Sequence, residues 1–224
     1  MPEKPHDLLH GTLDVLILKA LGLGPLHGYA VARWIEDRTG GLLSPYAASK
    51  KANELYAEVF GRCYGMQTLG LRYFNVFGAR QDPAGAYAAV IPRWIRALLS
   101  RQTVQINGDG ETSRDFCYVA NVVQANLLAG VTDQPRALNR VYNIGVGERT
   151  SLNGLLDILR SLLGVQAEPE YHPFRAGDVR HSLADIGRAR ELLGYRPTHT
   201  LASGLRECLS WYVNRFAVEP AQQR

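Results

Sequence analysis

Apolar positions recur at two spacings that alternate along the chain, and from about residue 42 this alternation predicts an α/β domain. From Pro45 to Arg62 a helix is predicted: Ala52, Leu55, Tyr56, Val59, Phe60 and Cys63 fall on one stripe, and Gly65 stops it. Leu69–Phe74 reads as a strand, and Ala86–Ser100 returns to helical spacing through Tyr87, Val90, Ile91, Trp94, Ile95 and Leu98. Thr103–Ile106 predicts a short strand entering the turn Asn107-Gly108-Asp109-Gly110. Phe116–Val119 leads into a helix ending near Val131, and Arg140–Gly145 is a further strand. Ser151–Leu163, Asp185–Leu193 and Leu201–Phe216 are predicted helices, with Ser151 and Asp185 as N-caps and Gly164 and Gly194 as stops. Ahead of all this, Leu9, Leu13, Leu16, Ile17, Ala20 and Leu21, then Ala30, Val31, Trp34 and Ile35, follow helical spacing across a turn at Gly22–Gly28.

The composition narrows the class. The chain has 224 residues, 46% hydrophobic and 21% charged, which suits one or two globular domains rather than a disordered segment. Its longest apolar run, Val15–Leu18, is too short to span a bilayer, and no signal-peptide pattern opens the chain. Cys63, Cys117 and Cys208 are odd in number and set in apolar sequence, so they are expected to be buried, reduced thiols of a cytoplasmic protein, with no metal site. The net charge of +4 comes from scattered basic residues, which predicts a soluble surface rather than a nucleic-acid footprint.

The candidate chemistry begins at Ser44-Pro-Tyr-Ala-Ala-Ser-Lys50. Ser44 suits an N-cap and Pro45 a first helical position, which puts Tyr46 and Lys50 one turn apart on a single face. A tyrosine titrates near pKa ~10 in water. A lysine ammonium one turn away favours the phenolate, the minimum needed to draw a proton from a hydroxyl. Further along, Arg114 beside Asp115 reads either as an internal ion pair or as an anion clamp, and Tyr73, Phe74 and Trp94 read as core aromatics.

Five longer words then accumulate in order: L-S-P-Y-A-A-S-K-K-A-N-E-L-Y-A, G-L-R-Y-F-N-V-F-G-A-R-Q-D-P, G-A-Y-A-A-V-I-P-R-W, I-N-G-D-G-E-T-S-R-D-F-C-Y-V and F-R-A-G-D-V-R-H-S-L-A-D-I. With them, Leu42 to about Phe216 resembles the C-terminal part of extended short-chain dehydrogenase/reductases, in particular nucleotide-sugar 4-epimerases of the UDP-N-acetylglucosamine type. The resemblance implies a Rossmann-type fold, NAD as cofactor, a UDP-sugar as substrate, and an isomerase of polysaccharide synthesis. It makes Tyr46 the catalytic tyrosine and Lys50 its partner, both also touching the cofactor, and has Phe74 meet the cofactor through its backbone. It puts Asn75, Ala89 and Val90 against the sugar nucleotide and Gln105, Ile106 and Asn107 around its uracil and ribose. Arg114 and Arg175 would clamp the diphosphate, and Asp178 would bind sugar or ribose hydroxyls.

The family also needs a Gly-rich turn from a first strand into a helix N-terminus, to hold the dinucleotide's diphosphate, yet only 45 residues precede Tyr46. Gly22-Leu-Gly-Pro-Leu-His-Gly28 mimics such a turn, but Pro25 removes an amide donor from it. Leu13–Arg38 also contains no Ser or Thr to serve as the companion hydroxyl. The stretch from Asp7 to Gly41 instead resembles the opening of PadR-type transcriptional regulators and stops before a recognition helix or wing. The expectation is therefore a fragment of such a regulator at residues 1–41 joined to an epimerase region at residues 42–224. That region is expected to be inactive alone for want of a dinucleotide site. The runner-up reading is a DNA-binding regulator fused to a sugar-nucleotide-binding remnant. Apolar surface left uncovered would favour homo-oligomers.

Overall fold

The computed structural model describes residues 45–82, 89–175 and 178–217, with side chains described for residues 50–82, 89–175 and 178–216. The two predicted N-terminal helices and the PadR-like stretch lie outside the described residues. Contacts divide the chain into two compact units, residues 1–68 and 69–224.

The first unit contributes helix α1, Pro45–Tyr64, closed by Gly65 at φ +68°. Its apolar stripe forms as predicted but is not covered. Leu55 is 52% exposed, Tyr56, Val59 and Phe60 are also exposed, and so is Cys63. The expected buried thiol at Cys63 is thus corrected, because it lies on this outward stripe. Periodicity identifies the apolar face of a helix without saying what packs on it.

In the second unit, β1 (Leu69–Tyr73) pairs in parallel with β6 (Arg140–Ile144), and β2 (Asn75–Phe77) pairs in parallel with β5 (Phe116–Tyr118). The predicted single strand Leu69–Phe74 is thus followed at once by a second strand in a different sheet. Phe74 is the break, and its amide still donates to the Ile144 carbonyl. β3 (Gln105–Asn107) pairs in parallel with β8 (Glu170–His172), and β4 (Ser113–Arg114) pairs antiparallel with β7 (Thr150–Ser151).

Helix α2 runs Val90–Leu99 rather than from Ala86, and Ala89 before it is extended (φ −64°, ψ 153°). Pro92 accounts for the late start: with no N–H to donate, it is tolerated only within a helix's first turn. Helix α3, Val119–Val131, follows β5 directly. Helix α4, Leu152–Leu163, carries both predicted caps: the Ser151 hydroxyl accepts the Gly154 amide, and Gly164 adopts the left-handed conformation. Helix α5 is Gly187–Leu193, with Ile186 rather than Asp185 at its N-cap, since Asp185 instead closes a local turn by accepting the Gly187 amide. Helix α6 is Leu201–Ala217.

Two cores result. One joins α2, α4 and α6 through Ile91, Trp94, Ile95, Leu98, Leu155, Leu159, Leu205 and Tyr212. The other packs α3 and α5 on β1 and β6 through Val122, Ala125, Tyr142, Ile144, Ala189 and Tyr195. Three fully buried tyrosines each donate their hydroxyl to a backbone carbonyl: Tyr142 to Ala137 at 2.6 Å, Tyr195 to Gly145 at 2.8 Å and Tyr212 to Gly78 at 2.5 Å. Burial pushes the phenols of Tyr195 and Tyr212 well above the ordinary range, so these groups act as donors, not acids. Among the described residues no helix is long and apolar enough to cross a membrane.

Candidate functional site

Strand and helix ends of the second unit enclose a cavity of about 310 Å³. Asn75 opens β2, and its Nδ2 donates to the Asp115 carbonyl at 3.3 Å. Ala89 and Val90 form the start of α2 and line the cavity. Gln105, Ile106 and Asn107 make up β3, with Ile106 buried in the first core. Arg114 comes from β4, and Arg175 and Asp178 from the exposed segment after β8. All nine of these expected substrate-side residues therefore line one cavity. Trp94, Phe77 and Phe116 add its apolar wall, each at least nine-tenths buried.

Arg114 and Asp115 do not pair with each other among the described residues. Arg114 Nη1 donates to the carbonyls of Ser113 at 2.9 Å and Arg180 at 3.3 Å, which fixes the guanidinium at the cavity wall. Asp115 is fully buried on the opposite side, where it accepts the amides of Val146 and Gly147 at 2.9 Å and of Ala184 at 3.3 Å. The anion-clamp alternative thus keeps its cation, while the carboxylate has a structural task. Near the same segment Arg180 donates to Asp109 and lies over the Phe174 ring at 5.2 Å. The hydrogen bond from Arg180 holds the Asp109 carboxyl below its usual range.

Phe74 does not line the cavity; it packs against the second core. Tyr46 and Lys50 lie one turn apart on α1 in the first unit, the Tyr46 side chain falling outside the described set and Lys50 being exposed. Arg93, Thr112 and Leu152 also line the cavity and were not anticipated. The alternation of T-S-R-D-F-C held the signal for Thr112, since it places Thr112 on the same side as Arg114.

The described residues do not fit the diphosphate of a dinucleotide. Such a group needs free amides at a glycine turn between a strand end and a helix N-terminus. Gly78, after β2, is packed instead: a Cβ there would meet Val119 at 2.7 Å, and its carbonyl accepts the Tyr212 hydroxyl. At Gly145, after β6, a Cβ would meet Ala184 and Asp115 at 2.6–2.7 Å. No group of three or more His, Cys, Asp or Glu able to hold a metal occurs among the described residues.

Comparison with known proteins gives a consistent result. A putative UDP-glucose 4-epimerase of Methanocaldococcus jannaschii is 41% identical over 172 residues, 77% of this chain and 54% of the relative. The crystal structure of Thermotoga maritima UDP-glucose 4-epimerase with UDP-glucose superposes with a TM-score of 0.73 at 42% identity, covering 79% of this chain and 55% of that one. UDP-N-acetylglucosamine 4-epimerase from Methanobrevibacter ruminantium M1, solved with UDP-N-acetylmuramic acid, gives 0.72 at 40% identity, covering 77% and 54%. The chain thus spans about half the length of the relatives it matches. The profile of the NAD dependent epimerase/dehydratase family matches residues 32–145, beginning inside the stretch assigned to the PadR resemblance, which no comparison supports. By that match, over half of its length, the chain belongs to the NAD dependent epimerase/dehydratase family.

Proposed function

We propose that residues 42–224 carry the UDP-sugar-binding face of a nucleotide-sugar 4-epimerase acting on UDP-N-acetylglucosamine or UDP-glucose. The observation behind this reading is the convergence of nine residues, from Asn75 to Asp178, on one cavity whose lining includes Arg93, Arg114 and Arg175. Arg114 and Arg175 offer planar forks suited to a diphosphate. Gln105, Ile106 and Asn107 would bracket the uracil and ribose, and Asp178 would accept hydrogen bonds from hydroxyls. Asn75, Ala89 and Val90 would meet the sugar. The roles of Tyr46 and Lys50 rest on the motif alone: the tyrosine takes and returns a hydroxyl proton, and the ammonium favours its phenolate. Because the described residues offer no dinucleotide cradle, no hydride step is assigned to them.

Isothermal titration of UDP into the 224-residue chain tests this reading. Saturable binding is expected, weakened about tenfold or more by Arg114→Gln, since hydrogen bonds between charged groups are the strong ones. UDP-N-acetylglucosamine with added NAD is expected to remain unconverted. Absence of UDP binding would overturn the assignment, and robust conversion would overturn the inactivity.

A further inference from the structure

Thr112, Arg114 and Phe116 alternate with Ser113, Asp115 and Cys117 along one extended segment, where successive side chains point to opposite sides. The first three line the cavity, and none of the second three does. Ser113 Oγ instead meets His181 Nδ1 at 2.9 Å, Asp115 collects three backbone amides, and Cys117 sits in the second core. Thr112 is only 7% exposed, yet its hydroxyl makes no hydrogen bond with the described residues. The hydrogen bond it does make is through its carbonyl, which accepts the Leu152 amide at 3.0 Å. That hydroxyl belongs to a residue of the cavity wall, where an acceptor on a bound ligand would take its proton in a hydrogen bond. Two residues along, in the wall of the same cavity, Arg114 is anchored through Nη1 to two carbonyls.

We propose that the Thr112 hydroxyl is a ligand-binding group of this cavity, donating to a phosphoryl oxygen of the sugar nucleotide whose charge Arg114 neutralises. This deepens the UDP-sugar reading above and rests on it. A cation alone attracts an anion from many directions, whereas a hydroxyl in the same wall fixes where one oxygen sits. The ligand is thereby oriented as well as attracted.

The test titrates UDP into the wild-type chain, into Thr112→Val, which keeps the branched shape without the donor, and into Thr112→Ser, which keeps the donor. The valine variant is expected to bind about tenfold or more weakly and the serine variant within about twofold of wild type. Inorganic pyrophosphate is expected to show the same loss with valine. Wild-type affinity in Thr112→Val overturns the inference alone, as does a serine variant as weak as the valine one. A loss seen for UDP but not for pyrophosphate overturns the phosphoryl assignment, and failure of the wild type to bind UDP overturns both readings. If Thr112→Val fails to fold by circular dichroism, Thr112→Ala is read in its place by the same criteria.

Discussion

Replacing Asp115 with asparagine removes a single acceptor at the centre of the second unit. The carboxylate is fully buried, with Oδ1 accepting the Val146 amide at 2.9 Å and Oδ2 accepting those of Gly147 at 2.9 Å and Ala184 at 3.3 Å. A Cβ built on Gly145 would lie 2.7 Å from Oδ2, so the side chain has little room to turn aside. Asparagine must set its NH₂ against at least one backbone N–H, and the less costly choice gives up Oδ1, which serves one amide rather than two. A hydrogen bond to a charged group contributes ~1.5–3 kcal/mol, and stranding a buried donor costs ~1–3 kcal/mol more. The asparagine variant should therefore lose about 3 kcal/mol, and alanine, which strands three amides and opens a hole, about 5 kcal/mol or more. With a urea slope of about 2 kcal/mol/M, the asparagine midpoint falls by roughly 1.5 M. Urea unfolding followed by far-ultraviolet circular dichroism reads both shifts. An asparagine variant within about 0.5 kcal/mol of wild type would refute the amide count. An alanine variant more stable than the asparagine one would show that relief of a buried charge outweighs the lost bonds.

Three further outcomes are expected. A thiol reagent should modify about one cysteine per native chain, Cys63, and reach Cys117 and Cys208 only on unfolding, because burial pushes both of these thiols up to about 11; rapid native labelling of either would contradict their burial. With these folded-state values raised, the folded state prefers the protonated thiols, so stability should decline as pH rises from about 8.5 toward 11. The outer faces of α1 and α3, the latter presenting Val119, Val123, Leu127 and Val131 at 39–77% exposure, should bind an apolar dye and drive self-association; a monomer with no dye signal would count against this.

What the sequence made legible was local. Ser151 and Gly164 bracket α4 because capping depends on neighbours within one turn, and Leu201–Ala217 followed from its spacing. Apolar spacing runs back through Tyr87 and so places the start of α2 too early, whereas Pro92 sets the limit. β4, β7 and β8 are two or three residues long and exist only through partners distant in sequence, so no local pattern announces them. Many cavity residues sit on three-residue strands and in loops, too short for periodicity to single them out. The nine expected ones are legible in the motif words, and Thr112 in the alternation of T-S-R-D-F-C.

The site and the cores depend on the same few bonds. β1 ends where Phe74 makes its last bond to β6, and the next residue, Asn75, enters a different sheet and the cavity. β2 then ends at Phe77, and the carbonyl of the next residue, Gly78, is held by Tyr212 from α6, 134 residues away in sequence. The segment from Thr112 to Cys117 is divided in the same manner, with alternate residues serving the cavity and the interior. A ligand held, as proposed, by Arg114 and Asn75 would therefore pull on strands whose other faces are fixed by Asp115 and by buried tyrosine hydroxyls. The proposed binding face would need no rigid loop of its own, because the strands that carry it are already held from behind.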